Sequence, residues 1–403
     1  MSTTTTSTLL AFSGGLDTSF CVLWLREQGR EVHTVTVDTG GFDAAELARI
    51  EKLARDLGAA THTTIDAREE LFRDYLRFLL AGNVLRGGVY PLSVSAERVC
   101  QARRVVAHAL QLGVSALAHG STGAGNDQVR FDVAFRTLAP GLEIITPIRD
   151  LALSRAEERS YLAERGFEFP DKIQQYSLNE GMWGTSIGGK ETHDSWQHLP
   201  DAAYPGGEID PALPSHSLVV GFTKGVPTSV DSTPANAVTL IEKLNTLGGK
   251  YGIGRGLHLG DTILGIKGRV GFEAPAAQML ITAHRELEKL VLSGKQMFWK
   301  EQLGNLYGTL LHEGQFFDPL ARDVEAFLTS SQTVVTGEVR LRLHPRSFVV
   351  EGVRSPHSLM NSAVASYGEA TSLWTGAEAA AFAKVFGVPQ MLAMQAGRDE
   401  VSP

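Results

Sequence analysis

One segment near the N-terminus carries the glycines, hydroxyls and acid that an anion site needs. Residues 13–19 read Ser-Gly-Gly-Leu-Asp-Thr-Ser and lie between a short apolar run and a longer one. This order predicts a strand, a glycine-rich turn and a helix, and the free N–H groups and dipole at a helix start favour a phosphate. Because the turn has no lysine, it is not the GxxxxGK[ST] loop that binds β- and γ-phosphates. The alternative is a tight turn that only caps the helix.

A second segment is still denser in polar groups. Residues 119–132 read His-Gly-Ser-Thr-Gly-Ala-Gly-Asn-Asp-Gln-Val-Arg-Phe-Asp. The glycines permit a ligand to approach the backbone closely, and the amide, carboxylate and guanidinium groups that follow can hydrogen-bond to it. A solvated polar turn is the alternative, but it does not easily explain this concentration of side chains. We therefore predict a ligand-binding loop, in which His119 orders the loop rather than acting as a catalytic base.

The elements around these segments predict a parallel sheet covered by helices, because strand and helix patterns alternate over roughly the first 165 residues. The predicted strands are Thr8–Phe12, Val32–Val37, Thr61–Ile65, Val114–His119 and Glu143–Ile148, and the predicted helices are Ala44–Leu57, Arg68–Leu80, Ala96–Leu112 and Ser154–Arg165. Asp43 and Ser154 are the expected caps of two of these helices. Ligands of open α/β sheets bind at the carboxyl ends of the strands. Both polar segments occupy that edge, so we expect them to converge.

The rest of the chain predicts an α+β domain. Residues 170–215 are rich in Gly, Pro, Ser and Asp, which indicates a long, largely irregular passage. The predicted elements after it are strands at Ser217–Phe222 and Ile263–Lys267, helices at Pro234–Leu247, Pro275–Leu292 and Lys295–Leu310, and an antiparallel pair at Thr333–Leu343 and Ser347–Val353. A last helix is predicted at Gly376–Phe386, with Phe382 and Phe386 on one face.

Composition narrows the class of protein. The chain has 403 residues, a net charge of −8 and 43% hydrophobic residues, as in an ordinary globular protein. The negative charge argues against a broad polyanion-binding face, so no nucleic acid partner is expected. Cys21 and Cys100 lie outside any CxxC pattern, which favours packing roles over a disulfide. No signal peptide or apolar membrane span is apparent, so we expect a cytoplasmic protein without a membrane partner.

Three motifs resemble those of one known family. Segment 13–19 resembles the PP-loop, SGGxDS, of enzymes that split ATP into AMP and pyrophosphate. Segment 119–132 resembles the HGxTGxGNDQxRF signature of the argininosuccinate synthase family. Residues 176–191 are similar to that family's YSxxxxLWGxSxEGG-type stretch, and the likeness also runs through 90–92 and 255–276. It covers most of the chain at varying strength.

The resemblance implies a fold and a function. The fold is α/β, with an N-terminal parallel-sheet, adenine nucleotide alpha hydrolase-like ATP-binding domain over 1–167, a C-terminal α+β synthetase domain over 168–360 and a helical oligomerisation tail over 361–403. The function is the ATP-dependent condensation of citrulline and aspartate to argininosuccinate in arginine biosynthesis. It proceeds through a citrullyl-adenylate and releases AMP and pyrophosphate. ATP and Mg²⁺ are the expected cofactors, with the metal carried by ATP. Asp17 is a candidate Mg²⁺ ligand or loop-ordering group, and the alternative is an acid that only favours the helix start. A homotetramer is also implied.

The family's binding residues carry over position by position. Those implied for ATP are Ala11, Phe12, Ser13, Gly14, Gly15, Leu16, Asp17, Thr18, Ser19, Val37 and Gly120. Those implied for aspartate are Thr122, Asn126 and Asp127. Those implied for citrulline are Tyr90, Ser95, Asn126, Arg130, Ser177 and Ser186. No catalytic side-chain nucleophile is expected, because the adenylate itself activates the ureido carbon.

Three positions depart from the family pattern. Val94 stands where a threonine is usual, Gly260 where a citrulline-binding glutamate is common, and Phe272 where a tyrosine is found. Asp261 offers a carboxylate one residue away from Gly260. The departures leave open a branch that holds citrulline differently, a PP-loop ligase acting on a related ureido acceptor, or a non-catalytic ATP and amino-acid sensor.

Overall fold

The computed structural model describes residues 6–169, 176–360 and 371–398. The chain divides into two compact units, of which the first ends at His357 and the second begins at Ser358. Each unit is described by itself below.

The N-terminal half of the first unit contains a parallel sheet of five strands in the order β3-β2-β1-β4-β5. The strands are β1 (Ser7–Ala11), β2 (Glu31–Asp38), β3 (Thr61–Asp66), β4 (Ala116–Ala118) and β5 (Glu143–Ile145). The central strand β1 is apolar and buried on both faces at Leu9 and Leu10, which is the pattern of a parallel sheet covered by helices. The predicted α/β fold is confirmed.

Helices connect these strands. A stretch of π-helix, Phe72–Leu76, lies between two of these helices. The helices of this half are α1 (Leu16–Glu27), α2 (Ala44–Asp56), α3 (Arg68–Leu71), α4 (Arg77–Ala81), α5 (Ser95–Leu112), α6 (Asp127–Leu138), α7 (Pro147–Leu151) and α8 (Arg155–Ala163). Asp43 caps α2 through the Glu46 N–H, and Ser154 and Glu157 form a capping box at α8, as predicted. Cys21 is completely buried in α1, and both cysteines are free thiols.

Two antiparallel sheets form the C-terminal half of the described first unit, in the orders β10-β9-β8-β13-β14 and β11-β12-β7-β6. Their strands are β6 (Tyr176–Asn179), β7 (Thr185–Gly189), β8 (His216–Thr223), β9 (Val226–Val230), β10 (Thr233–Pro234), β11 (Arg255–Asp261), β12 (Lys267–Glu273), β13 (Gly337–His344) and β14 (Ser347–Arg354). The helices are α9 (Ala237–Lys250), α10 (Pro275–Val291), α11 (Gly294–His312) and α12 (Pro319–Ser331). The predicted antiparallel pair is confirmed as β13 and β14.

One predicted strand of this half is wrong. The apolar run Ile263–Lys267 is not a strand but belongs mainly to the turn between β11 and β12. The Thr262 N–H donates to the Ile266 carbonyl at 2.8 Å, and Gly265 takes a φ of +83°, which closes the hairpin there. Residues 176–215 are largely irregular, as predicted, but they also contain the regular strands β6 and β7. These pair with each other, and β7 also pairs with β12, a partner remote in sequence.

The described part of the second unit contains α13 (Gly376–Phe386) and α14 (Val388–Arg398). Thr375 and Glu378 form a capping box that starts α13. The rings of Phe382 and Phe386 stack with centroids 5.2 Å apart, and both remain about two-thirds exposed within the chain. Among all described residues, no helix is long and apolar enough to cross a membrane.

Candidate active site

A cavity of about 1300 Å³ lies at the carboxyl edge of the parallel sheet and reaches the hairpins β6–β7 and β11–β12. It collects residues from both predicted polar segments, so the expected convergence is observed. The predicted site residues that line it are Ala11, Phe12, Ser13, Gly15, Leu16, Asp17, Thr18, Val37, Tyr90, Ser95, Gly120, Thr122, Asn126, Asp127, Arg130, Ser177 and Ser186. Gly14 and Ser19 lie behind this surface. Their assignment to ATP remains a prediction, as do the other site assignments.

The glycine turn leaves backbone donors free at the start of α1. Gly15 precedes the helix without any side-chain capping hydrogen bond, so the first N–H groups are not occupied by the chain. Gly14 has a φ of +69°, and a Cβ there would come within 2.8 Å of Ile50 Cγ1. The hydroxyls of Ser13 and Thr18 lie 3.3 Å apart across the turn. The turn therefore presents amides and hydroxyls in the arrangement that an anion requires.

The two polar segments touch at Gly120. A Cβ on this residue would lie 3.1 Å from Thr18 Cγ2 and 3.3 Å from the Thr18 nitrogen, so a side chain would push the loops apart. His119 fixes the second loop through both ring nitrogens. Its Nδ1 accepts from the Ser121 N–H at 3.2 Å. The ring proton is therefore on Nε2, which donates to Asp132 Oδ1 at 2.9 Å. These bonds agree with a loop-ordering role for His119.

Asp17 has an acidic neighbour. Its side chain hydrogen-bonds to Glu158 of α8, and burial together with the Asp17 charge raises the pKa of the Glu158 carboxyl. Two carboxyl groups in contact share a proton more readily than they both ionise. Asp17 thus lines the cavity wall, while Glu158 lies buried behind it.

Two arginines neutralise Asp127. Its Oδ2 accepts from Arg98 Nε at 2.9 Å and its Oδ1 from an Arg130 guanidinium nitrogen at 2.7 Å. Burial opposes ionisation, but the two guanidinium groups dominate and lower the pKa of Asp127 to about 2. Asp127 is thus a carboxylate at neutral pH that already has two cationic partners.

Arg130 is itself locked in place by His312 at the end of α11. Arg130 Nε donates to the His312 carbonyl at 2.9 Å, and a second nitrogen donates to His312 Nδ1 at 3.2 Å. Since arginine can only donate, Nδ1 is unprotonated and the ring proton is on Nε2. Burial, followed by the Arg130 charge, lowers the pKa of His312 to about 3, so the ring is neutral at pH 7. Ser95 lies 3.1 Å from the same Nδ1.

The hairpin β11–β12 reaches the loop of residues 119–132 at its turn. The Ile263 N–H donates to Asn126 Oδ1 at 2.9 Å, which orients the Asn126 amide so that its NH₂ group is left for a ligand. On β11, the His258 ring stacks on Tyr90 with centroids 5.6 Å apart. Phe272 of β12 packs against Tyr90 from another side at 5.2 Å and is 2% exposed, so it contributes no polar group.

Among the cavity residues that the sequence interpretation did not identify are Arg86, Arg98, His258 and His312. Arg98 follows Tyr90 within a stretch that the family resemblance already covers, so its position gave a usable signal. His258 was detectable as a polar residue in the stretch that contains Gly260. His312 ends an ordinary helix, and nothing local marks it as a site residue.

Comparisons with known proteins agree along most of the chain. Family models described as the arginosuccinate synthase N-terminal HUP domain and C-terminal domain match residues 7–168 and 176–393. An argininosuccinate synthase of Xanthomonas axonopodis pv. citri is 42% identical over 397 residues, covering 97% of this chain and 95% of the relative. One of Methanocaldococcus jannaschii is 40% identical over 363 residues, covering 90% and 91%. One of Dictyoglomus turgidum is 38% identical over 394 residues, covering 97% and 98%.

Proposed function

This chain belongs to the argininosuccinate synthase family, an enzyme family of ATP-using ligases, and we propose that it condenses citrulline with aspartate. The products are argininosuccinate, AMP and pyrophosphate. The observation that carries the proposal is the cavity, where residues assigned to ATP, aspartate and citrulline from distant parts of the chain line one continuous surface.

The first step joins citrulline to the nucleotide. The ureido oxygen of citrulline attacks the α-phosphorus of ATP, forms an O–P bond and expels pyrophosphate. The glycine turn at 13–19 would hold the leaving pyrophosphate with free amides and the hydroxyls of Ser13 and Thr18. Val37 and Ala11 at strand ends would contact the adenine with apolar surface.

The second step joins aspartate to the activated carbon. The aspartate amino group, after losing a proton, attacks the ureido carbon, a C–N bond forms and AMP departs with the C–O electron pair. Thr122, Asn126 and Asp127 would position aspartate, and Tyr90, Ser95, Arg130, Ser177 and Ser186 would position citrulline. Positioning supplies most of the rate enhancement, because the adenylate already carries a good leaving group.

Magnesium is part of the proposal as a partner of the ATP phosphates. No cluster of three or more metal-ligating side chains occurs among the described residues, so a metal cage made by the protein alone is not found there. Mg²⁺ is commonly held by one or two carboxylates together with substrate phosphates. Asp17, at the cavity wall beside the glycine turn, fits that role.

Pyrophosphate release tests the proposal directly. The assay contains ATP and Mg²⁺, with citrulline and aspartate added singly and together. We expect release to require citrulline and argininosuccinate to appear only with both amino acids. Release that is indifferent to citrulline would contradict the proposal. ATP binding without any release would identify a sensor instead.

We further propose three domains, 1–167 for ATP, 168–360 for the amino-acid substrates and 361–403 for assembly into a homotetramer. The exposed apolar face of α13 and α14, which includes Phe382, Phe386 and Leu392, supports an assembly role. A cytoplasmic location completes the proposal, and the buried free thiols Cys21 and Cys100 fit a reducing compartment.

A further inference from the structure

One end of the cavity is assigned to citrulline, and the side chains that line it include an arginine and uncharged rings. We call this region the acceptor end and define it by Tyr90, Arg130, His258, Gly260 and His312, all of which line the cavity. Citrulline carries a carboxylate and an ammonium group at the end opposite its ureido group. Because the ureido group must reach the ATP phosphorus, both charged groups must lie at the acceptor end. Which of these two charges the acceptor end recognises depends on the side chains that face it.

Among the described residues, the carboxylates of the cavity lining are Asp17, Asp43, Glu46, Asp127, Glu180 and Asp261. The first three belong to the starts of α1 and α2, on the nucleotide side. The backbone of Glu180 packs against Gly41 of the loop after β2, where a Cβ on that glycine would meet the Glu180 carbonyl oxygen. Asp127 contacts Arg130 and Asp261 directly follows Gly260 in β11, so these two carboxylates adjoin residues of the acceptor end.

Both of these carboxylates already have cationic partners. Asp127 is held between Arg98 and Arg130 at 2.9 and 2.7 Å. Asp261 turns to Lys267 on the neighbouring strand at 2.6 Å, and its side chain is 59% exposed. Neither is an unpaired anion facing the acceptor, so an ammonium group would find no dedicated carboxylate there.

The place of a side chain at position 260 is already occupied. A Cβ on Gly260 would lie 2.6 Å from His258 Nε2 and 3.1 Å from its Cε1, so the imidazole covers this glycine. The His258 ring is fixed by its stacking on Tyr90. Burial lowers the pKa of His258, and the ring is therefore neutral at pH 7. An uncharged ring thus stands where an acidic side chain would have to project.

Hydrogen-bond donors, by contrast, remain available. The His312 side chain is about nine-tenths buried, and its Nε2, which has no hydrogen-bond partner among the described residues, itself has almost no exposed surface. That nitrogen carries the ring proton, because Nδ1 accepts from Arg130. Arg130 has five N–H donors, of which its bonds to Asp127 and His312 use three. A carboxylate suits the two remaining N–H donors of Arg130, and an ammonium group does not.

We propose that the acceptor end recognises its ureido acid through the carboxylate and not through the ammonium group, so that a ureido acid lacking the α-amino group is an equally good acceptor. The inference rests on the proposed function, because it assumes ATP-dependent activation of a ureido group. It assigns His258 and His312 as specificity-determining residues, His312 as the neutral residue that holds Arg130 in place and His258 as the group that keeps an acid away from position 260.

The first test compares two acceptors with the unaltered protein. Citrulline and 5-ureidopentanoic acid, which is citrulline without its α-amino group, are each assayed with ATP, Mg²⁺ and aspartate for pyrophosphate release. We expect kcat/KM for 5-ureidopentanoic acid to lie within threefold of the citrulline value or above it. A lost charge-assisted hydrogen bond lowers kcat/KM by about tenfold or more, so a preference for citrulline of more than threefold would overturn the inference and leave the proposed function standing. No release with either acceptor would refute both.

The second test restores a carboxylate. In a His258→Ala background, which removes the ring covering position 260, Gly260→Glu is compared with Gly260→Gln. The two variants differ in charge but hardly in shape. We expect the ratio of kcat/KM for citrulline to that for 5-ureidopentanoic acid to be at least tenfold higher in the glutamate variant. Equal ratios in two folded variants would contradict the inference, and the comparison of acceptors with the unaltered protein decides the matter if either variant fails to fold.

Discussion

At the scale of single residues, Asp127 combines a position in the substrate cavity with charge compensation of two arginines. It lies in the cavity at a position assigned to aspartate, and it compensates the charges of Arg98 and Arg130, both of which are largely buried. A carboxylate that is hydrogen-bonded between two guanidinium groups holds both of them in position and is itself held by them. Changes at Asp127 should therefore affect both substrate binding and stability, and the two effects are separable by measurement.

Replacement of Asp127 by Asn should act mainly on aspartate. The variant keeps the shape of the side chain but removes the charge that positions the aspartate site. We expect KM for aspartate to rise about tenfold or more, as for the loss of a charge-assisted interaction, while KM for ATP changes less than threefold. Steady-state kinetics measure both constants, with the exposed Asp323→Asn on α12 as a control. An equal rise in both KM values would mean that Asp127 is misassigned.

The same carboxylate should give a pH-dependent contribution to stability. Its pKa is lowered from 3.8 to about 2 in the folded protein. The stabilisation is therefore complete above about pH 4 and is lost as the pH falls through about 2. We expect the difference in free energy of unfolding between the unaltered protein and Asp127→Asn to shrink by about 2 kcal/mol between pH 6 and pH 2. Urea unfolding at the two pH values measures it, and a difference independent of pH would contradict the assignment.

At the scale of elements, a buried polar cluster fastens α10 to α11 behind the site. Lys300 is 1% exposed and lies 2.9 Å from Glu288, which is completely buried. Glu288 also accepts from Asn83 at 2.6 Å and from Gln332 at 2.8 Å. The oxygens of those two amides consequently face His284, one at each ring nitrogen, both at 2.7 Å. Helices α10 and α11 are thus joined by a buried ion pair whose carboxylate also accepts hydrogen bonds from two amides.

Removing one member of this cluster should cost more than removing the ion pair. We expect Lys300→Met to lower the free energy of unfolding by about 3–5 kcal/mol, because Glu288 is left buried without its cation. The double variant Lys300→Met, Glu288→Gln should recover at least about 2 kcal/mol of that loss. Urea unfolding supplies the values. Lys289→Met, at an exposed pair with Glu286, is the matched control and should change stability by less than about 1 kcal/mol. A similar, small effect of both single variants would refute the role of the cluster.

Hairpin β11–β12 shows why some elements could not be predicted from local pattern. Ile263 and Ile266 form an apolar run that is typical of a strand, yet they flank a turn in which the Ile263 N–H serves Asn126. The strands on either side contain Gly256, Gly260 and Gly268, which lower strand propensity and conceal the pairing. Tertiary pairing, not propensity, decides the outcome here. By contrast, Asp43 and Ser154 predicted their helix starts correctly because a cap is a contact over three residues.

At the scale of the whole molecule, the tail should decide the state of assembly. Phe382 and Phe386 are exposed on α13, and a free apolar face of this kind favours association. We expect the unaltered protein to sediment as a tetramer and Phe382→Ser, Phe386→Ser to sediment as smaller species. Thermal unfolding of the first unit should change little, since neither ring is buried in the chain. Lys384→Ser on the same helix is the control. A tetramer that persists in the double variant would exclude this face as the interface.

The local sequence by itself determined the parts of this protein that depend on neighbours in the chain. These are the glycine turn at 13–19, the helix caps, the strand and helix alternation and the polar loop at 119–132, because φ preferences, free N–H groups and side-chain caps act over a few residues. Only the tertiary structure decided the acceptor end. Arg130 meets His312 across 182 positions, and His258 covers Gly260 only because Tyr90, far earlier in the chain, fixes its ring. Such contacts depend on packing between remote elements, which no local preference specifies.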